Sequence, residues 1–263
     1  GYRVVGYDID PAKTAKLKDI GGTPAGSLAD AAKCQVVVLA VFSTEQVEDV
    51  VENTLAPLGG GRIVLCTSTC DPDRIAALAE RVMPKGIRFL ETPVSGTSGQ
   101  VSRGEGTGLI GGDPDTAAEV SGLLDAIVPK RFHIGKPGDG GRTKLAINLI
   151  LGLNRMAMAE GLVFAERAGL DLAAFLEVAK NSAAYSQVMD IKGRKMVERE
   201  YKPEGFIHQS LKDFSLMHEQ AGKFGQTLPA LELNKSLLQD CVKAGEADFD
   251  NSAVIEEIRR RRT

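Results

Sequence analysis

The sequence predicts an α/β domain with a mostly parallel sheet, followed by an all-α domain with a long central helix. Up to residue 135, short apolar runs alternate with helical patterns, which is typical of a sheet covered by helices. Residues 36–41 are all apolar, as in a strand buried on both faces. After Gly135 the β patterns disappear. Glycine and proline cluster at residues 135–140, so we place the domains at 1–136 and 137–263.

The remaining elements follow the same rules. Pro11 and Pro72 stand at first-turn positions, directly after the expected N-caps Asp10 and Asp71. A third cap is expected at Asp171. Further strands are predicted at residues 2–8, 63–66, 87–90 and 108–110, and helices at 11–20, 44–55, 71–83, 114–127, 145–168, 186–197, 211–224, 229–244 and 252–262.

Composition excludes several classes of partner. A net charge of -3 and a pI near 5.8 give no electrostatic reason to bind nucleic acid, and the basic run 259–262 reads as a solvated tail. No apolar run reaches the length of a membrane span, and no signal peptide is recognisable. Four cysteines without a framework pattern indicate reduced thiols and a cytoplasmic protein. Cys66 and Cys70 lack the further ligands of a metal site.

Lys144 and Asn148 interrupt a long apolar helical pattern four residues apart. A single lysine in such a place more often extends its charge to solvent from a helix end. Here, however, a glycine-rich segment, residues 138–141, precedes the lysine, and a second motif lies upstream. These two observations favour a functional role for Lys144 and Asn148. That motif, residues 93–99, ends a strand in Ser95, Gly96 and Thr97, whose amides and hydroxyls suit a small carboxylate. A simple loop is the alternative.

Three strand ends are expected to border a dinucleotide. Asp8 follows the first strand, where an acid would bind the ribose hydroxyls of NAD and repel the 2′-phosphate of NADP; an ordinary helix cap is the alternative. Val41 and Phe42 end the apolar run at 36–41, and Thr69 follows the strand at 63–66. These loops would face the nicotinamide, although Thr69 also fits simple turn chemistry.

The glycine-rich Gly-x-Gly-x-x-Gly turn of such a domain is absent from the sequence, which starts with Gly1. We expect the natural protein to carry one strand, this turn and one helix before Gly1, about 25–30 residues. The α/β domain is thus predicted to be Rossmann-like and truncated at its N-terminus. A fragment that starts at Gly1 is expected to be poorly soluble and to bind NAD weakly.

Together these motifs resemble the β-hydroxyacid dehydrogenase family, which includes 3-hydroxyisobutyrate dehydrogenase and tartronate semialdehyde reductase. The resemblance spans the whole chain. The family usually has a further glycine after Ser-Gly and Asp-Ala in place of Glu91-Thr92, so an altered substrate pocket is expected. The resemblance to the family rests on Ser68-Thr69 before Pro72, residues 93–96, Gly111-Gly112-Asp113, the segment around Lys144 and Asn148, Lys212-Asp213 and residues 245–253.

The resemblance implies an NAD-dependent oxidoreductase, with NADP a weaker candidate, that transfers a hydride between nicotinamide and a small 3-hydroxyacid or the corresponding semialdehyde. Lys144 would be the general acid/base, which requires burial to lower its pKa toward roughly 7–8. Asn148 would orient the substrate. Ser95, Gly96 and Thr97 would hold its carboxylate, and Lys212 would approach cofactor and substrate.

Two alternatives remain open at this stage. One is an oxidoreductase acting on another small acid, such as glyoxylate, succinic semialdehyde or a threonate-like sugar acid. The other is a catalytically inactive relative that only binds. We also expect a homodimer or homotetramer, because the helix at 145–168 is apolar around most of its circumference and such a helix must be buried by its own domain or by a partner.

Overall fold

The computed structural model describes residues 1–262 and divides into two compact units. The first, called here the sheet unit, comprises Gly1–Ser95 and Gly104–Lys144. The second, called the helical unit, comprises Gly96–Arg103 and the residues from Leu145 onward. The division falls inside one long helix, directly after Lys144. The expected boundary at residue 136 stays a prediction.

The sheet unit has the Rossmann-like, parallel-rich architecture that the alternating pattern predicts. Strands β3, β4 and β5 are parallel neighbours, β7 and β8 are parallel, and β7 runs antiparallel to both β5 and β6. A separate two-stranded parallel sheet is formed by β1 and β2. The strands are β1 (Val5–Gly6), β2 (Thr23–Pro24), β3 (Val36–Leu39), β4 (Arg62–Cys66), β5 (Ile87–Glu91), β6 (Val94–Ser95), β7 (Thr107–Gly111) and β8 (Lys130–Gly135).

Strand β4 explains why this part of the chain reads as continuous apolar runs. Side chains alternate between the two faces of a strand. Val64 and Cys66 pack into one buried cluster, and Ile63 and Leu65 pack into another on the opposite face. A strand covered on both faces needs apolar residues at every position. Strand β6 ends at Ser95, where the sequence predicts the end of a strand. Strands β2 and β8 were not expected from the sequence, because β2 is two residues long and β8 is largely exposed and polar.

The helices of the sheet unit begin at the expected caps. Asp10 and Asp71 accept backbone N–H groups of the first turns of α1 and α4. Two expected helices are interrupted: the one at 44–55 becomes a π-helical turn at Val50, and the one at 114–127 breaks at Val120. The helices are α1 (Pro11–Asp19), α2 (Leu28–Ala31), α3 (Thr44–Asp49), α4 (Pro72–Val82), α6 (Pro114–Glu119) and α7 (Ser121–Ile127), with α5 (Ser98–Ser102) assigned to the helical unit.

The helical unit is built around α8 (Asp139–Arg167), which has 29 residues. Its buried core combines side chains from every long helix, with Leu162, Met196, Ile207 and Phe214 almost fully buried. Asp171 caps the next helix through the N–H of Ala174, as expected. The other helices are α9 (Leu172–Lys180), α10 (Gln187–Glu198), α11 (Ile207–Lys223), α12 (Pro229–Lys243) and α13 (Val254–Arg260).

Helix α8 is long and apolar enough to cross a membrane, with an 18-residue window of mean hydropathy 1.3 that is 33% buried. The expectation that no segment reaches this length therefore does not hold. Length and composition alone are weak evidence for a membrane span, since central helices of globular domains share both properties. Several apolar side chains of α8 are exposed in the chain, among them Ile150 at 63% and Phe164 at 76%.

Within the helical unit, Gly152 lets α8 approach α11 closely. A Cβ atom at this position would lie 2.6 Å from the ring of Phe214, which is 2% exposed, and 3.3 Å from Nδ2 of Asn234. Real Cβ contacts are not that short, so any larger residue forces the two helices apart. Gly161, nine residues further along the same helix, has open space around it.

We expect Gly152→Ala to destabilise the protein by about 1–3 kcal/mol, because the added methyl group overpacks the contact with Phe214. Gly161→Ala is the matched control. It adds the same methyl group to the same helix without a clash, and it should be neutral or stabilise by about 0.5–1 kcal/mol. Urea unfolding of both variants measures the difference. Equal stability of the two variants would contradict a tight α8–α11 contact.

Candidate functional site

The carboxyl ends of three parallel strands are level with one another. Leu39 of β3 pairs with Cys66 of β4, which in turn pairs with Glu91 of β5. Hydrogen bonds lock the loops beyond them: Thr67 Oγ1 donates to the carbonyl of Leu39 at 2.8 Å, and Ser68 Oγ donates to the carbonyl of Val41 at 2.6 Å. Ligands of parallel α/β sheets bind outside this edge.

This edge brings together three of the residues expected to border a cofactor. Val41 is held directly by Ser68, the residue before Thr69. Phe42 is 43% exposed, and its backbone N–H is fixed by Oε1 of Gln46 at 2.8 Å. The loops after β3 and β4 therefore form one connected rim with an exposed aromatic ring. Their role toward a cofactor stays a prediction.

Asp8 follows β1 and is not the cap of α1. That position belongs to Asp10, whose Oδ1 accepts the N–H of Ala12 at 2.9 Å, so the helix-cap alternative for Asp8 is wrong. Oδ1 of Asp8 accepts the N–H of Asp10 at 2.9 Å, which shapes the turn. Oδ2 of Asp8 lies 3.9 Å from Nζ of Lys13, a neighbouring cation that was not predicted from the sequence.

The loop that follows β6 divides its polar groups between two tasks. Gly96 has a φ of 144°, a conformation that side-chain-bearing residues rarely adopt. Thr97 caps α5: its hydroxyl accepts the N–H of Gln100, and its own N–H donates to Oε1 of Gln100 at 2.8 Å. Thr97 is thus committed to a local capping box. Within residues 1–262, the hydroxyl of Ser95 and the N–H of Gly96 make no hydrogen bond.

Glu91 is a buried carboxylate that the sequence marked only as a departure from the family pattern. Its Oε2 accepts the N–H of Gly138 at 2.8 Å, just before α8 begins. Cβ atoms at Gly111 and Gly140 would lie 3.0 and 3.1 Å from this oxygen, so the glycines make room for it. Burial raises the pKa of Glu91 to about 7, although the N–H groups of Gly141 and Gly138 oppose this effect.

Further contacts fix the start of α8 within the sheet unit. Arg142 donates to Asp73 at the start of α4 at 2.6 Å and to Asp139 at 3.0 Å. Lys144 lies two residues beyond Arg142, and it is 8% exposed. The helix begins six residues before its expected start at 145, because glycines at its first positions allow this close packing against β5 and β7.

In the helical unit, two expected site residues meet at one carboxylate. Nδ2 of Asn148 donates to Oδ2 of Asp213 at 2.9 Å. Nζ of Lys212 lies 3.3 Å from Oδ1 of the same side chain. Asp213 was noted in the sequence only as part of a motif. Its position beside a lysine on a helix gives no signal from sequence that it would face Asn148 on a different helix.

Lys144 and Asn148 lie on one continuous helix, four residues apart, and therefore share a face. Among residues 1–262 no group of three or more His, Cys, Asp or Glu side chains could hold a metal ion. The four cysteines are free thiols, and a hydrogen bond with Cys70 together with burial raises the pKa of Cys66 well above its ordinary value.

Two family profiles match the chain. Residues 1–135 match the NAD binding domain of 6-phosphogluconate dehydrogenase, and residues 138–258 match the NAD-binding domain of NADP-dependent 3-hydroxyisobutyrate dehydrogenase. Among curated proteins, 2-hydroxy-3-oxopropionate reductase of Escherichia coli is 30% identical over 229 residues, which cover 85% of this chain and 77% of that protein. L-Threonate dehydrogenase of Cupriavidus necator is 27% identical over 261 residues, with 97% and 88% covered.

A solved structure gives the same result. The crystal structure of 3-hydroxyisobutyrate dehydrogenase from Salmonella typhimurium superimposes with a TM-score of 0.88 at 26% identity, and the match covers 96% of this chain and 90% of that one. A structure described as Psf3 in complex with NADP+ and 2-OPP has a TM-score of 0.91 at 20% identity, which supports the fold alone.

Glu91 gives the protein a testable pH dependence. Its pKa is higher in the folded protein than in the unfolded chain, so folding favours the protonated form. Its contribution is fully present below the unfolded pKa near 4.5 and is lost as pH rises to about 7. We expect this loss to be about 3 kcal/mol. Denaturant unfolding at pH 5 and pH 8 measures it.

Glu91→Gln is the control for this effect, because a neutral amide keeps an oxygen for the N–H of Gly138 and does not titrate. The other titrating groups are common to both proteins and cancel in the comparison. The wild type should lose more stability than Glu91→Gln between the two pH values. Parallel pH profiles would show that the Glu91 carboxyl is not buried as described.

Proposed function

We propose a substrate class and a set of active residues for this chain, which belongs to the β-hydroxyacid dehydrogenase family and is an NAD(P)-dependent oxidoreductase of small hydroxyacids. The substrate is a 3-hydroxyacid or the corresponding semialdehyde. The observation that carries the proposal is the pair formed by buried Lys144 and Asn148, four residues apart on α8, together with the uncommitted donors of Ser95 and Gly96.

The sheet unit suits a dinucleotide at three loops. Oδ2 of Asp8 lies 3.9 Å from Nζ of Lys13, so this carboxylate is able to accept hydrogen bonds from ribose hydroxyls. Val41, Phe42 and Thr69 lie on the connected rim beyond β3 and β4, and we assign them to the nicotinamide side. When bound, the nicotinamide accepts or donates the hydride. We assign Lys212 to the approach of cofactor and substrate from α11.

The substrate carboxylate is assigned to the loop after β6. Ser95 Oγ–H and Gly96 N–H are two donors without a partner in the described chain, and both favour an anion. Thr97 does not bind the carboxylate directly in this proposal, because its N–H and its hydroxyl both bond to Gln100 in the capping box of α5. Its role is to hold Gly96 in the conformation that aims the amide.

Lys144 is assigned to the proton. In reduction its ammonium donates a proton to the carbonyl oxygen, and in oxidation its neutral amine accepts one from the hydroxyl. Because Lys144 is only 8% exposed, little water reaches the site of proton transfer. Asn148, one turn further along α8, orients the reacting oxygen. Proton transfer through Lys144 thus complements the hydride transfer.

We expect Lys144→Ala to lower kcat on the true substrate by about 10²–10⁴-fold while cofactor affinity changes little, because the lysine acts on the proton. Steady-state kinetics with a panel of 3-hydroxyacids and semialdehydes, with NADH titration by fluorescence, tests this. Lys136→Ala removes an exposed lysine shortly before α8 and should keep wild-type turnover. A Lys144→Ala enzyme with most of its kcat would refute the assignment.

Asp8 makes NAD(H) the preferred cofactor in this proposal, because its charge repels a 2′-phosphate. We expect the double substitution Asp8→Ser and Ile9→Arg to shift kcat/KM toward NADP(H); Ile9 is 84% exposed, so an arginine has room there. Lys13→Ala removes the neighbouring cation and should leave the preference for NAD(H) in place. Similar wild-type kcat/KM values for both cofactors would refute a discriminating role for Asp8.

The substrates in the names of the relatives are the candidates for the particular acid. The substrate panel for the kinetic measurements therefore includes L-threonate, 2-hydroxy-3-oxopropionate and 3-hydroxyisobutyrate. Glyoxylate and succinic semialdehyde complete it. A chain that only binds is the alternative of a different class. It predicts cofactor binding without turnover of any member of this panel.

We further propose a homodimer or homotetramer located in the cytoplasm. Ile150 and Phe164 on α8 are exposed at 63% and 76%, so the chain itself does not cover this apolar helix, and a second copy is the simplest cover. Four free thiols fit a reducing compartment. Light scattering should give a mass of at least two chains at micromolar concentration. A monomer mass would refute the assembly.

A further inference from the structure

We propose that Asp213 is a positioning residue that fixes the orientation of the Asn148 amide, so that Asn148 presents its carbonyl oxygen, an acceptor, to the reacting hydroxyl group. The proposal rests on the proposed function, in which Asn148 orients the substrate. The new points are that the carbonyl oxygen of Asn148, not its NH₂ group, orients the substrate, and that Asp213 sets this orientation of the amide.

The first argument is the chemistry of the contact. Nδ2 of Asn148 lies 2.9 Å from Oδ2 of Asp213. An ionised carboxylate has no hydrogen to donate, so only the NH₂ side of the amide can face it. The reverse orientation would place two oxygens against each other. The contact therefore sets the direction of an amide whose oxygen and nitrogen are otherwise nearly interchangeable in shape.

The second argument is that Asp213 is itself held in place. Its other oxygen lies 3.3 Å from Nζ of Lys212. Successive residues on a helix do not normally face each other, so this approach requires the lysine side chain to fold back over the helix. Both oxygens of Asp213 thus have a partner, and its side chain is 17% exposed. Charge-assisted hydrogen bonds of this kind are stronger than neutral ones.

The third argument is the charge deeper in the helical unit. Arg155 lies two turns beyond Asn148 on α8 and is 6% exposed. Burial lowers its pKa to about 10, and the negative charges of Asp250 and Asp213 oppose that effect. A buried cation is stable only with compensating anions. Asp213 therefore contributes both to this charge balance and to holding the amide of Asn148.

The fourth argument is the backbone that brings the two side chains together. Gly152 lies one turn beyond Asn148, and it allows α8 to lie against Phe214, the neighbour of Asp213. The hydrogen bond between the helices is therefore formed beside a close contact of α8 with α11. Close packing of this kind helps a residue to hold a partner within the tolerance of a reacting geometry.

The test uses three variants. Asp213→Asn can donate as well as accept, so it no longer dictates the Asn148 amide. Asn148→Asp places two carboxylates against each other. The double variant N148D/D213N restores the hydrogen bond with the donor on α11, and position 148 still presents an accepting oxygen. Glu160→Gln removes a carboxylate from an exposed position of α8 and is the charge-matched control.

We expect Asp213→Asn and Asn148→Asp each to lower kcat by about 10–100-fold, with the KM for the cofactor unchanged. N148D/D213N should recover at least about tenfold over either single variant, and Glu160→Gln should match the wild type. Urea unfolding of all variants separates folding from turnover. A double variant that regains stability but not kcat would show that position 148 must donate, and would overturn the proposal.

A second measurement does not depend on turnover. The side-chain NH₂ signal of Asn148 in ¹⁵N–¹H spectra is identified by its loss in Asn148→Asp. It should shift and exchange faster with solvent in Asp213→Asn. An unchanged signal overturns the positioning role even if the enzyme is active. A changed signal in a protein that turns over no hydroxyacid supports the amide orientation while refuting the proposed function, so the two failures are distinct.

Discussion

In each of the two units, the expected site residues depend on one helix, α8. Its first turn is tied to the sheet unit by the Glu91 carboxylate, which accepts the N–H of Gly138, and by the bond from Arg142 to Asp73. Its middle is tied within the helical unit by the contact of Gly152 with Phe214. Lys144 and Asn148 lie between these anchors. Side chains on a helix are held more precisely than side chains on a loop.

The sequence predicts those features that follow from periodicity and local chemistry. Strand β4 is recognisable because both of its faces are buried, and α1, α4 and α9 start at aspartates whose carboxylates cap free N–H groups. Strand β8 escapes notice because most of its side chains are at least partly exposed, so it lacks the apolar signal. The strand end at Ser95 is predicted, but its antiparallel pairing with β7 is missed because β6 is only two residues long.

The site shows the same limit. The spacing of Lys144 and Asn148 can be read from the sequence because a helix turns by a fixed angle per residue. The partner of Asn148 cannot, because Asp213 stands 65 residues away on another helix and the approach depends on a missing side chain at Gly152. Glu91 was visible only as an unusual acid at a strand end. Its structural role depends on glycines from two other segments, Gly111 in β7 and residues 138–141 at the start of α8. Local patterns do not encode such long-range fits.

The unbroken course of α8 from Asp139 to Arg167 limits how this protein can evolve. Loops accept insertions and deletions, but one residue added between Lys144 and Asn148 would rotate everything beyond it by about 100° and move it along the axis by about 1.5 Å. Asn148 would no longer share a face with Lys144, although its contact with Asp213 and the contact of Gly152 with Phe214, which both lie beyond the insertion, would be kept. Along this stretch of α8, the spacing of Lys144 and Asn148 therefore tolerates side-chain replacement but not a change in length.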